Sequence, residues 1–124
     1  MLYEILSDLI NVENLLFVIK NSSATSEIKS NNLNIKRHEK WITLGQNEDP
    51  AHMHLDSEKI KSIKFVREEK PDRTSFSIRF FNENDEHVLA VFFTKMYDDH
   101  KKLNTSREKI FNDLFKKYGS PIFL

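Results

Sequence analysis

Cysteine is absent from the 124 residues, so the chain cannot build a disulfide, an iron–sulfur cluster, a thiolate zinc site or a thiol nucleophile. Glycine occurs only twice, at Gly45 and Gly119. That rules out a Gly-rich phosphate loop and argues against barrels that turn their corners on glycine, such as cupins. Net charge is also missing: 19 Lys and Arg balance 19 Asp and Glu with the five histidines neutral. A protein built to coat nucleic acid or an anionic membrane needs a broad basic surface to displace counterions, and here such a surface could exist only as a patch. The longest apolar run, Val88 to Phe93, falls short of half a membrane span, and no charged segment followed by an apolar one opens the chain. These absences predict one domain over residues 1–124, soluble and cytoplasmic, with neither nucleic acid nor membrane insertion in its function.

What is present is aromatic and charged. Ten Phe, three Tyr and one Trp within a chain that is 31% charged are too many aromatics for a disordered segment. Leu2, Ile5, Leu6, Leu9 and Ile10 recur at helical spacing and predict a short amphipathic helix ending near Asn11. Leu15 to Ile19 reads as a buried strand closed by Asn21-Ser22-Ser23. Ser26 to Ser30 and Leu33 to His38 flank Asn31-Asn32, which predicts a polar hairpin because Asn tolerates positive φ. Trp41 to Leu44 continues into the sheet before the turn formers Gly45 to Pro50 break it.

A strand is expected over Ile60 to Arg67, then a charged loop over Glu68 to Arg73. Phe76, Ile78 and Phe80 follow on one face with Ser75, Ser77 and Arg79 opposite. After a turn at Asn82 to Asp85, His87 to Thr94 is apolar on both faces and reads as a central strand, forming a hairpin with its predecessor. Thr105 and Glu108 have capping-box spacing, ahead of an apolar stripe through Ile110, Phe111, Leu114, Phe115 and Tyr118 that Gly119 and Pro121 end. The fold class that results is α+β, a meandering antiparallel sheet with a helix near each end of the chain.

Candidate chemistry is sparse. His52 and His54 stand two apart, which in an extended chain puts both imidazoles on one face, and a neutral imidazole binds iron, zinc, copper or nickel well. His-x-His alone more often marks two surface histidines. A zinc or copper site needs further ligands, and the spacing of His87, His100, Asp56, Glu58, Asp98 and Asp99 does not force them together. Haem asks for less, since one imidazole, an apolar slot and a cation for the propionates suffice. Met53, the Phe76/Phe80 face and Arg67, Arg73 and Arg79 supply those residue types, though any half-buried sheet carries them too. No nucleophile elbow, His-Glu-x-x-His helix or P-loop is legible, so no catalytic residue is assigned. Asn82 to Glu86 lacks the glycine and the terminal glutamate of a calcium loop.

As one string, His54-Leu55-Asp56-Ser57-Glu58-Lys59-Ile60-Lys61-Ser62-Ile63-Lys64-Phe65-Val66, then Lys70-Pro71, then Ser75-Phe76-Ser77-Ile78-Arg79-Phe80-Phe81, resembles the haem-utilisation carriers of the ChuX/HutX type. These carriers are related to the repeated halves of the HemS/ChuS haem-handling proteins. The resemblance continues through Val88-Leu89-Ala90-Val91-Phe92-Phe93 into the last helix. It implies a haem iron utilisation protein-like fold, a homodimer, and haem as ligand. It further implies that His54 ligates the haem iron and that a second, upstream histidine corresponds to His38. The carriers have Gly-Gly where this chain has His52-Met53, and a longer Gly-containing loop where it has only Asp72-Arg73-Thr74.

The resulting expectation is a cytoplasmic haem carrier or buffer in haem and iron utilisation. His54 would hold the iron, Met53, Phe76 and Phe80 would touch the porphyrin, and Arg67, Arg73 or Arg79 would meet its propionates. Enzymatic haem degradation is implied only by analogy with the two-halved relatives. Two alternatives stand beside this reading. One is a ligand-free dimeric interaction module on the same fold, and the other is non-haem metal capture by His52 and His54.

Overall fold

The computed structural model describes residues 1–31 and 33–124. Helix α1 (Leu2–Ile10) buries Leu2, Ile5, Leu6 and Leu9, the stripe its spacing predicts. The strands follow as β1 (Leu15–Lys20), β2 (Thr25–Lys29), β3 (Ile35–His38), β4 (Trp41–Leu44), β5 (Met53–Asp56), β6 (Ser62–Glu69), β7 (Thr74–Phe81) and β8 (His87–Phe93). Helix α2 (Thr105–Tyr118) and a short β9 (Ile122–Phe123) complete the chain. Six strands form one antiparallel sheet in the order β2-β1-β8-β7-β6-β9, and β3-β4-β5 form a second. The α+β class holds, and β8 is central with β7 as its hairpin partner, Ile78 facing Val91 and Arg79 facing Ala90.

The expected polar hairpin across Asn31-Asn32 does not form, although Asn32 itself lies outside the described residues. β2 turns back onto β1, with Ser26 opposite Ile19, whereas β3 joins the other sheet and pairs with β4. Two local devices favour this pairing. The Asn21 side chain accepts from the amides of Ser23 and Ala24, closing the β1–β2 turn, and Glu39 adopts a φ of 56° in the tight β3–β4 turn. Buried Ser30 marks the crossing between sheets, donating its hydroxyl to the Val12 carbonyl and accepting from the Leu15 amide.

The charged loop is shorter than expected. Glu68 and Glu69 stay in the ladder opposite Ser75 and Thr74, leaving only Lys70 to Arg73 to turn, closed by the Lys70 amide on the Arg73 carbonyl. The last helix is capped one residue early: the Asn104 side chain accepts from the Arg107 amide, so Thr105 is the first helical residue and the Thr105/Glu108 box is not used. Arg107 also ties three strand-end carbonyls together, donating to Glu13, Asn14 and Thr94. Partial burial lowers its pKa, against the opposing pull of Glu13.

The inner face of the large sheet carries Phe17, Ile63, Ile78, Phe80 and Val91, all fully buried. α1, α2 and the small sheet contribute Leu6, Leu9, Phe111, Ile42 and Leu44 to the same core. α1 and α2 are joined at the surface, where Lys117 Nζ (2.8 Å) and the Tyr118 hydroxyl both donate to Asp8 Oδ2. Burial alone would raise the Asp8 carboxyl, but these two donors outweigh it and hold it below the usual carboxylate value of 3.8. A depressed folded-state pKa stabilises above the unfolded value, and that contribution is lost as pH falls through the folded value. Urea titrations from pH 7 downward should therefore show Asp8→Asn costing most at pH 7 and progressively less as the pH falls below 3.8. An equal cost at every pH would mean that the carboxylate charge is not what joins the helices.

Candidate functional site

β5 is an edge strand, paired only with β4, and its alternation divides its side chains cleanly. Met53 and Leu55 point into the core while His54 and Asp56 face outward. On β4 the same outward face carries Trp41 and Thr43, opposite Asp56 and His54, and on β3 it carries Lys36 and His38. Thr43 Oγ1 lies 2.8 Å from His54 Nδ1, so one ring nitrogen is tied to the sheet and the other, Nε2, is turned outward. The His52 ring meets the His54 ring edge to face at 5.2 Å.

His54 lines a cleft of about 580 Å³ between the small sheet and one end of the large one. Trp41 forms its apolar wall on the small-sheet side, with Ile19 and Val88 from the large sheet. Trp41 is 42% exposed and Ile19 36%, so both leave apolar surface open to a ligand. The rim is of mixed charge, Lys59 and Lys61 alongside the carboxylates of Asp56, Glu58 and Glu83, and the Asn82 to Asn84 turn closes one end. Lys40 Nζ sits 5.4 Å from the Trp41 ring centre and 3.3 Å from Asp56 Oδ2, placing a third cation beside the tryptophan. Imidazole, indole, aliphatic wall and rim lysines are groups that a flat, iron-bearing dianion can use, while the rim carboxylates oppose its negative charge.

Several residues singled out from sequence lie elsewhere. Phe76 and Phe80 belong to the core, 3% and 0% exposed, with Phe76 packed edge to face on Phe111 of α2. Met53 is buried in the same core. Arg67 stacks over Phe111 at 4.9 Å and donates to Asn112 of α2. Arg79 is on the outer face of the large sheet, held by Ser77 Oγ at 3.1 Å and Glu68 Oε2 at 3.0 Å. Arg73, in the β6–β7 turn, borders a different groove beside Tyr97. None of the three arginines lines the cleft at His54. His38 shares the outward face with His54 but is separated from it by β4, across from Trp41.

His52 and His54 are adjacent, yet no group of three His, Asp or Glu side chains converges on a metal-sized point among the described residues. A second histidine of note, His87, lies on the outer face of the large sheet, 4.6 Å from the Phe81 ring. Partial burial lowers its pKa, reinforced by the charges of Arg79, Lys20 and Lys64. The residues missed from sequence are Trp41, Thr43, Ile19, Val88, Lys59 and Lys61. The signal for the first two was available: strict alternation around buried Ile42 and Leu44 puts Trp41 and Thr43 on the opposite face.

A protein-family model matches residues 3–120, nearly the whole chain. A solved structure of ChuX, described as a heme-binding protein, superposes with a TM-score of 0.77 at 17% identity, covering 92% of this chain and 70% of that one. The chain has the fold of ChuX. A protein from Agrobacterium tumefaciens shares the ChuX-like fold with a TM-score of 0.75 and 18% identity, over 92% of this chain and 64% of its own. Holo-PhuS, a heme-binding protein from Pseudomonas aeruginosa, aligns with a TM-score of 0.69 and 14% identity, over 99% of this chain. Only 33% of PhuS is covered, so the ChuX-like chain spans about a third of that protein's length. At these identities the matches establish the shared α+β fold. No curated protein matches the sequence, and no helix among the described residues is long and apolar enough to cross a membrane.

Proposed function

We propose that this ChuX-like chain binds haem as cargo in the cleft at His54 and acts as a carrier or buffer in haem and iron utilisation. The observation that carries this reading is the outward His54 imidazole, bordering an open cleft that Trp41, Ile19 and Val88 line and whose rim holds Lys59 and Lys61 among three carboxylates. The shared fold supports it, because ChuX and PhuS are both described as heme-binding proteins. In this arrangement the His54 Nε2 lone pair is the ligand to iron. Trp41, Ile19 and Val88 cover the porphyrin, and Lys59 and Lys61 take the propionates in place of the arginines that the sequence suggested. His38, across β4 from His54, is too far to share one iron with it in this arrangement, because two strand spacings already separate them by about 10 Å. The cytoplasmic setting of this role rests on the family analogy.

The outer face of the large sheet supports a dimeric form of the same protein. Leu16, Ala90 and Phe92 make its centre apolar and partly exposed, with buried Val18 between them. Ferric haemin titrated into the purified protein should give a saturable Soret change at one haemin per chain. A featureless, non-saturating response from a stable dimer would instead favour a ligand-free interaction module on this fold.

A further inference from the structure

We propose that Thr43 is the positioning residue for His54: its hydroxyl holds Nδ1 against the sheet, so that Nε2 is the only ring nitrogen presented to the cleft. This rests on the reading of His54 as the group that meets the ligand, but the orientation itself belongs to the protein alone. Three observations carry it. Thr43 and His54 are directly opposed in the β4–β5 ladder, so the hydroxyl and the imidazole share one face at the closest cross-strand spacing. Thr43 Oγ1 is 2.8 Å from Nδ1 and is the hydrogen-bond partner of that ring. Thr43 is buried whereas His54 is exposed, so the anchor is fixed and the ring it holds faces solvent. A β-branched threonine has few χ1 choices in a strand, which leaves little freedom for the hydroxyl to swing away.

The chemistry follows from the two nitrogens. In a neutral imidazole one nitrogen bears the proton and the other the lone pair. When Nδ1–H donates to Oγ1, the Nε2 lone pair faces the cleft and can take a metal. When the hydroxyl donates to Nδ1 instead, Nε2 carries the proton and cannot. Free imidazole side chains favour no such fixed orientation, so a bond at Nδ1 selects the ring rotamer and turns Nε2 to the cleft, and metal binding at Nε2 then draws the Nδ1–H donor form. The His52 ring, edge-on to His54, borders the same imidazole from the side and further limits its rotation.

Thr43→Val keeps the shape of the side chain and removes the hydroxyl, and Thr43→Ser keeps the hydroxyl. The first readout uses protein without haemin: long-range ¹H–¹⁵N correlation of the histidine rings. Wild type and Thr43→Ser should show the same His54 ring ¹⁵N shifts, those of an imidazole hydrogen-bonded at Nδ1, and Thr43→Val should move them. The second readout is haemin titration, with Thr43→Val expected to weaken binding about tenfold and Thr43→Ser less than twofold, in the range for outer-shell partners of a liganding histidine. Unchanged His54 ring shifts in Thr43→Val overturn the proposal, whatever haemin does. The expected ring shifts together with haemin binding that is indifferent to His54→Ala leave the positioning role standing and overturn the haem site instead.

Discussion

Phe111→Ala is expected to cost about 3–5 kcal/mol, the usual penalty for truncating a fully buried phenylalanine. Phe111 is the single fully buried side chain of α2, with Leu114 and Tyr118 only partly buried against the same core. Its ring meets those of Phe65, Phe76 and Phe93 edge to face at centre distances of 5.6, 5.3 and 5.4 Å. Such pairs each add about 0.5–1.5 kcal/mol beyond area burial, so removing the ring breaks three favourable contacts and leaves a cavity none of the three can fill. The Arg67 guanidinium, 4.9 Å above the same ring, loses its platform as well. Phe115, one turn later, touches only Phe65 among these rings and is 37% exposed. Chemical denaturation of the two alanine variants should therefore separate them by at least about 1 kcal/mol, given the smaller area that Phe115 buries. Equal losses would mean that α2 is held by its whole stripe and not by Phe111.

That stripe shows how far the sequence could be read. Its members were legible at helical spacing, yet Ile110 and Phe115 remain more than a third exposed, because periodicity gives the face of a helix but not how deeply the surface beneath it is cut. The β7–β8 hairpin was legible for a stronger reason: alternation fixes register where one face is buried, and Phe76, Ile78 and Phe80 all lie on that face. The division into two sheets was not legible. β2 is almost wholly exposed and β3 nearly so, and short polar strands carry no pattern that names a partner. At the site, the His-x-His spacing and the family resemblance both led to His54. The arginines misled because alternation tells which side of a strand a residue takes and not which surface of the molecule that side becomes. Arg79 does lie opposite Phe80, as expected, but on the far face of a sheet whose end, not whose face, borders the cleft.

The same distinction yields the sharpest functional test, a comparison of His54→Ala, Trp41→Ala and Arg79→Ala by haemin titration. Losing the iron ligand should weaken binding by more than about 100-fold, since even an outer-shell partner of a liganding histidine is worth about 10–100-fold. Trp41→Ala should cost about 2 kcal/mol, roughly a 30-fold loss, because a half-exposed tryptophan at the edge of a cleft is the kind of anchor that dominates binding energy once a ligand covers it. Its exposed position on β4 means that little core packing is lost, so the thermal stability of the unliganded variant should stay close to wild type. Arg79→Ala should leave haemin affinity unchanged, since its guanidinium is engaged by Ser77 and Glu68 on the opposite side of the large sheet. The reverse ranking, with Arg79 decisive and Trp41 silent, would move the ligand to the outer sheet face near His87, the other groove that a planar dianion could enter. Loss of affinity in all three would point to a general requirement for the intact fold rather than to a site at His54.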